Sequence, residues 1–164
     1  MKNFKNCLAA LAVALAFALG PSSVSAQSDV DHVMDAIFHM FDENGDGFIT
    51  TAEANHFIDK TFADMDRRHA GKITRDAWLN FSFGLADIAA DQGRSDAYDR
   101  AKEKIFKRWD RSKSGALTLD DYRAGVLGDA KAALRGKTNV DDMRIDLVAF
   151  KRAAFVRQLM RSLH

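Results

Sequence analysis

The chain has 164 residues, with 24 Lys and Arg against 23 Asp and Glu, and this length predicts one domain or two small lobes. A charge balance this close to neutral argues against general nucleic-acid binding. The single cysteine, Cys7, cannot form a disulfide within the chain, so the core and any bound ion must hold the fold.

The first residues have the pattern of a secretory signal peptide. Lys2 and Lys5 give a basic start, Leu8 to Leu19 is unbroken apolar sequence, and Val24-Ser25-Ala26 ends in a small residue as a cleavage site does. A membrane anchor is the alternative, but a span needs about 20 apolar residues and this run is shorter. We therefore expect cleavage after Ala26, no stable membrane insertion afterwards, and a periplasmic or secreted protein.

Apolar residues recur at helical spacing through the rest of the chain. Ser28, followed by Asp29, predicts a helix start with acids near the positive end of the helix dipole. One apolar face precedes residue 42 and another follows residue 53, formed by Val33, Ile37, Phe38, Phe41, Ala54, Phe57, Ile58 and Phe62. The predicted fold class is all-α.

Residues 42–53, between these two helices, place oxygen-bearing groups at positions 1, 3, 5, 7, 9 and 12 of a loop. A hard cation such as Ca²⁺ takes six to eight oxygens, and this spacing wraps them around one point, with Gly47 at the sharp turn. An ordinary acidic turn is the alternative, but such a turn requires neither Ile49 nor Glu53. The predicted ligands are Asp42, Asn44, Asp46, the Phe48 carbonyl, Thr50 and, through both carboxylate oxygens, Glu53.

The pattern of Asp42, Asn44, Asp46, Gly47, Ile49 and Glu53 resembles the loop of the EF-hand family. Only residues 54–65 separate this loop from the next one, so one helix must leave the first loop and enter the second. That short spacing resembles exported bacterial EF-hand calcium-binding proteins. The resemblance implies helix–loop–helix repeats arranged in two pairs, with apolar residues such as Ile49 facing a partner loop.

The second copy, at residues 66–77, keeps the scaffold of the pattern and loses its ligands. Asp66, Gly71 and Ile73 match, but Arg68 and Ala70 stand where oxygen ligands are needed, and Ala77 replaces the closing acid. Cationic side chains inside the loop repel a metal ion. We expect no metal here, and we expect Asp66 and Asp76 to pair with arginines or to cap helices.

The third copy, at residues 110–121, has a full set of oxygens and a shorter closing acid. Aspartate at position 12 favours one-oxygen coordination, which suits Mg²⁺ or weakly held Ca²⁺. A loop stabilised only by its own serine and aspartate turn bonds is the alternative. The predicted ligands are Asp110, Ser112, Ser114, the Ala116 carbonyl, Thr118 and Asp121.

The fourth copy, at residues 138–149, lacks both the loop glycine and the closing acid, so we expect no metal. Its expected role is to pair Ile145 with Leu117, while Ile73 pairs with Ile49. The predicted domains are therefore an N-terminal pair at 27–92 and a C-terminal pair at 93–164, divided near Gly93.

The histidines assemble no zinc site by spacing, and no catalytic motif is present, so we expect no enzyme, no catalytic residues and no organic cofactor. Residues 146–164 are basic; a solvated helix face is favoured there over contact with an acidic partner or a membrane surface. The predicted function is a calcium sensor or buffer. The alternative is a structural or interaction module, with an unidentified protein partner, braced by a permanently bound calcium ion.

Overall fold

The computed structural model describes residues 23–134 and 142–164, and this part of the chain is mainly helical, as predicted. No helix in these ranges is long and apolar enough to cross a membrane. Most of the predicted signal peptide and the start of the fourth loop lie outside the described residues. The elements in chain order are α1 (Ser23–Phe41), β1 (Ile49–Thr50), α2 (Thr51–Met65), β2 (Lys72–Thr74), α3 (Arg75–Asn80), α4 (Ala86–Asp91), α5 (Ser95–Trp109), β3 (Ala116–Thr118), α6 (Leu119–Ala133), β4 (Arg144–Ile145), α7 (Leu147–Arg152) and α8 (Ala154–Ser162).

Helix α1 begins at Ser23, so the predicted start at Ser28 is wrong. No proline or glycine lies between Pro21 and Ser28, and nothing in that stretch stops a helix from extending backwards. Ser28 and Asp29 are therefore interior residues of α1 in the full chain.

Each of the four short strands is followed directly by a helix whose first turn is capped by a side chain. The caps are Thr50, Thr74, Thr118 and Asp146, each accepting a hydrogen bond from the amide three residues later. At Thr50 and Thr118 the residue three positions on is acidic and bonds back to the cap amide, which completes a capping box. The closing acid of a loop is thus also the residue that fixes the start of the next helix.

The strands pair across the chain, antiparallel, rather than between neighbours. Ile49 in β1 faces Ile145 in β4, and Ile73 in β2 faces Leu117 in β3. The predicted pairs, Ile73 with Ile49 and Ile145 with Leu117, are wrong. Helix α2 is the reason: its 15 residues span about 22 Å and hold β1 and β2 at opposite ends, too far apart to bond.

One hydrophobic core joins the two predicted halves of the chain. Trp78 from α3 lies 5.4 Å from Trp109 of α5 and 6.2 Å from Tyr122 of α6, measured between ring centroids. The Tyr122 hydroxyl lies 3.0 Å from the Thr61 hydroxyl of α2, deep in the same core. The predicted boundary near Gly93 falls in the turn between α4 and α5.

A buried lysine of α5 binds the C-terminal end of α3. Lys102 is 1% exposed, and its ammonium donates to the carbonyls of Leu79 at 2.5 Å and Phe81 at 2.7 Å. The ammonium also lies over the rings of Tyr98 and Phe83. Burial lowers the pKa of Lys102 to about 8, because the charged form is the one that loses hydration.

Candidate metal centre

Asp42 organises the turn of the first loop. Its carboxylate is 5% exposed and accepts hydrogen bonds from the amides of Asp46 at 3.1 Å and Gly47 at 2.9 Å. The chain passes through a left-handed conformation at Gly45 and Gly47, with φ of 70° and 84°. The loop therefore folds back on its first residue, and the side-chain oxygen of Asn44 accepts a further hydrogen bond of 2.7 Å from the Asp46 amide.

Glu53 closes the loop from the other side. One carboxylate oxygen accepts from the Thr50 amide at 2.9 Å and the Thr50 hydroxyl at 2.7 Å, and the other accepts from the Asn44 amide at 3.3 Å. Burial alone would raise the pKa of Glu53, but these hydrogen bonds to the charged form outweigh it and hold that pKa below its usual value. Glu53 is therefore a buried, ionised carboxylate that bridges positions 3 and 9 of the loop.

An arginine side chain from β4 contacts this loop, and the sequence analysis did not predict that contact. The guanidinium of Arg144 in β4 lies 3.3 Å from a carboxylate oxygen of Asp46 and stacks over the Phe48 ring at 4.4 Å. The strand pairing of Thr50 with Arg144 brings the two together. Because the pairing of β1 with β4 was not predicted, nothing in the spacing of the motif could indicate this contact.

The third loop repeats the turn and differs at its closure. Asp110 accepts from the amides of Ser114 at 3.0 Å and Gly115 at 2.8 Å, as Asp42 does in the first loop. Burial would raise the pKa of Asp110, and these amides together with two serine hydroxyls lower it below its usual value. Asp121 accepts only from Thr118, and no described hydrogen bond carries it across to residues 110–114 as Glu53 crosses its own loop.

The serine hydroxyls of the third loop bond within the loop. Ser112 donates to the Asp110 carboxylate at 3.2 Å, and Ser114 donates to the Ala116 carbonyl at 2.9 Å. These are the bonds expected if the loop is stabilised only by its own serine and aspartate turns. Each of them uses an oxygen that a metal ion would need as a ligand. A cation would have to displace them.

The second loop keeps the same turn but lacks the oxygen ligands that a metal ion needs. Asp66 accepts from the amides of Ala70 at 2.9 Å and Gly71 at 2.7 Å, so its bonds run to loop amides rather than to an arginine. Asp76 does lie 3.8 Å from the guanidinium of Arg75. In the fourth loop, positions 142 onward are described, and there Asp146 caps α7 at 2.7 Å from the Ala149 amide.

Within the described residues, no three His, Cys, Asp or Glu side chains are gathered closely enough to form a metal cluster by themselves. The donor set of the first loop is of a different kind, since carboxylate, amide, hydroxyl and backbone oxygens share one short segment. Two of its carboxylates, on Asp42 and Glu53, are buried with amide and hydroxyl donors, and in the part of the chain that the structure describes no cationic side chain pairs with either. Hard oxygens around buried negative charge fit Ca²⁺.

Three comparisons with known proteins add no relative. No family model, no curated protein and no solved structure matches this chain.

Proposed function

We propose that this chain is an exported calcium-binding protein built from EF-hand repeats, which acts as a calcium sensor or buffer. The observation that carries the proposal is the first loop, where the buried carboxylates of Asp42 and Glu53 face one turn from opposite ends. The ion would be held there by Asp42, Asn44, Asp46, the Phe48 carbonyl, Thr50 and Glu53. A bound Ca²⁺ would supply the positive charge that offsets the two buried carboxylates.

The third loop supports a second, weaker site in the same proposal. Asp110 has the position and the amide bonds of Asp42, while Asp121 reaches no further than Thr118. A closing acid one methylene shorter favours six-fold coordination, so this loop should distinguish Ca²⁺ from Mg²⁺ less well. Its ligands would be Asp110, Ser112, Ser114, the Ala116 carbonyl, Thr118 and Asp121.

Calorimetric titration of the chain from residue 27 onward with CaCl₂ tests the proposal. Glu53→Gln keeps the size of the side chain and removes the charge, so calcium affinity at the first loop should fall by at least about tenfold, or 1.4 kcal/mol. Glu43→Gln is the matched control, because Glu43 is exposed and pairs with His56 at 2.5 Å instead of facing the turn.

The control variant should bind like the wild type. Absence of calcium heat at millimolar concentration, or equal loss in both variants, would remove the proposal.

A different class of function is a structural or interaction module that a permanently bound ion braces. The nested strand pairs favour it, because each strand holds the end of a distant loop and limits how far the helices can open. A dye that fluoresces on apolar surfaces separates the two. A sensor should expose new apolar surface when calcium is added, whereas a braced module should only melt at higher temperature.

A further inference from the structure

Helices α5 and α8 pack side by side and leave an open groove of about 650 Å³ between their outer faces. Its lining includes the small residues Ala97, Ala101 and Ala154, together with Gln158, which donates to the Ala101 carbonyl at 2.9 Å. Its walls carry five basic side chains and no acidic one: Arg100, Lys104, Arg108, Arg157 and Arg161. In a chain with almost equal numbers of acids and bases, this is a strong local excess of positive charge.

Within residues 23–134 and 142–164, four of these five cations have no acidic partner. Arg108 is paired, since its guanidinium lies 2.7 Å from the Asp129 carboxylate and 2.8 Å from the Gln158 side-chain oxygen. Among the described residues, no carboxylate lies within 4.0 Å of the other four groove cations. Glu103, an acid of α5, is engaged elsewhere, by Arg75 and Lys107.

The cations are spaced regularly along both walls. Arg100, Lys104 and Arg108 recur every fourth residue on α5, and Arg157 and Arg161 do so on α8. Each step of four residues rises about 6 Å along a helix. Carboxylates at every fourth position of a partner helix repeat at the same distance, so they can meet the basic side chains in register. The small side chains of Ala97 and Ala154 in the lining leave room for such a helix, because helix separation depends on side-chain size at the contact.

We propose that this groove docks an acidic helical segment of a partner protein. An arginine guanidinium can bind a carboxylate with two parallel hydrogen bonds, which fix the orientation of the contact in addition to the charge attraction. A helix that lies along the groove can contact the exposed cations of α5 and α8 at the same time. The groove lining contains no aromatic residue on which nucleic-acid bases could stack.

The test uses a fluorescein-labelled, alanine-rich peptide of about four helical turns with glutamate at every fourth position. Its control has glutamine at the same positions, and binding is followed by fluorescence anisotropy at low ionic strength. The wild type should bind the glutamate peptide, should not bind the glutamine peptide, and should release the former as salt rises.

Two groove variants, Arg157→Gln with Arg161→Gln and Arg100→Gln with Lys104→Gln, should each weaken binding by about tenfold. The matched control, Arg67→Gln with Arg68→Gln, removes the same charge from exposed positions of the second loop and should bind within about twofold of the wild type. Arg157→Lys with Arg161→Lys should bind more weakly than the wild type and more tightly than the glutamine pair, because lysine keeps the charge and loses the two-bond fork.

Three results would overturn the proposal. One is failure of the wild type to bind the glutamate peptide. Another is equal weakening in groove and control variants, which would assign the effect to overall charge. The third is groove-dependent sedimentation with phosphatidylserine vesicles when the peptide does not bind, which would assign the surface to lipid. Melting curves of each variant, followed by circular dichroism, establish that the fold is intact.

Discussion

Helix α6 contains two glycines, Gly125 and Gly128, whose replacement by alanine should change stability in opposite directions. A β-carbon at Gly128 meets nothing within 4 Å, and the position is exposed. Gly128→Ala should therefore gain only helix propensity, about 0.5–1 kcal/mol. A β-carbon at Gly125 would lie 2.4 Å from two ring atoms of Trp109, far inside contact distance.

Trp109 cannot move aside at low cost, because its ring packs against Trp78, Tyr122 and Phe155 at 5.4, 5.8 and 5.6 Å. Overpacking of this kind costs about 1–3 kcal/mol. A clash with a rigid ring belongs at the upper end, about 3 kcal/mol, and after the propensity gain Gly125→Ala should lose about 2–2.5 kcal/mol.

The assay is thermal unfolding of both variants and the wild type, followed by circular dichroism. At this chain length about 1 kcal/mol corresponds to roughly 3 °C in Tm. Gly128→Ala should melt about 1.5–3 °C above the wild type, and Gly125→Ala about 6–8 °C below it. A Gly125→Ala variant that melts at or above Gly128→Ala would refute the packing of α6 on Trp109.

Three further predictions concern the loops and the buried lysine. Arg144→Gln removes the cation beside Asp46, so calcium affinity at the first loop should rise by about twofold to fivefold in calorimetry; an unchanged or lower affinity would contradict this. In an NMR titration with calcium, the amide of Gly47 should shift before that of Gly115; the reverse order would contradict the ranking of the two loops. Burial holds the folded pKa of Lys102 at about 8, below the value of about 10.4 in the unfolded chain, so the unfolded state binds more protons between these values. The contribution of Lys102 to stability should therefore rise from pH 8 to pH 10 in urea unfolding, and Lys102→Met should lose this slope; identical slopes would refute it.

The sequence predicts the helices and loop turns well because their causes are local. A twelve-residue pattern with Asp42 at its start and Gly47 at its turn determines the same hydrogen bonds wherever the loop sits in the fold. The threonine caps are equally local, since Thr50 needs only the residue three positions later. These features need no knowledge of the rest of the chain.

Strand partners and the Arg144 contact depend on distances between elements, which a motif does not contain. The length of α2 decides that Ile49 meets Ile145 rather than Ile73, and only then does Arg144 reach Asp46. Lys102 was missed for the same reason, since a lysine among solvated positions of α5 gives no sign of burial. The carbonyls that hold its ammonium come from residues 79 and 81.

The nested strand pairs also set an order for folding. Ile73 and Leu117 are 44 positions apart (117 minus 73), whereas Ile49 and Ile145 are 96 apart (145 minus 49). Closing the longer stretch first would cost about 0.7 kcal/mol more in chain entropy than closing the shorter one. Once β2 and β3 have paired, the length of free chain between β1 and β4 is already reduced. The inner pair should therefore form before the outer one. The loop with the fullest ligand set would then gain its strand partner last during folding, and it would lose that partner first when the chain begins to unfold.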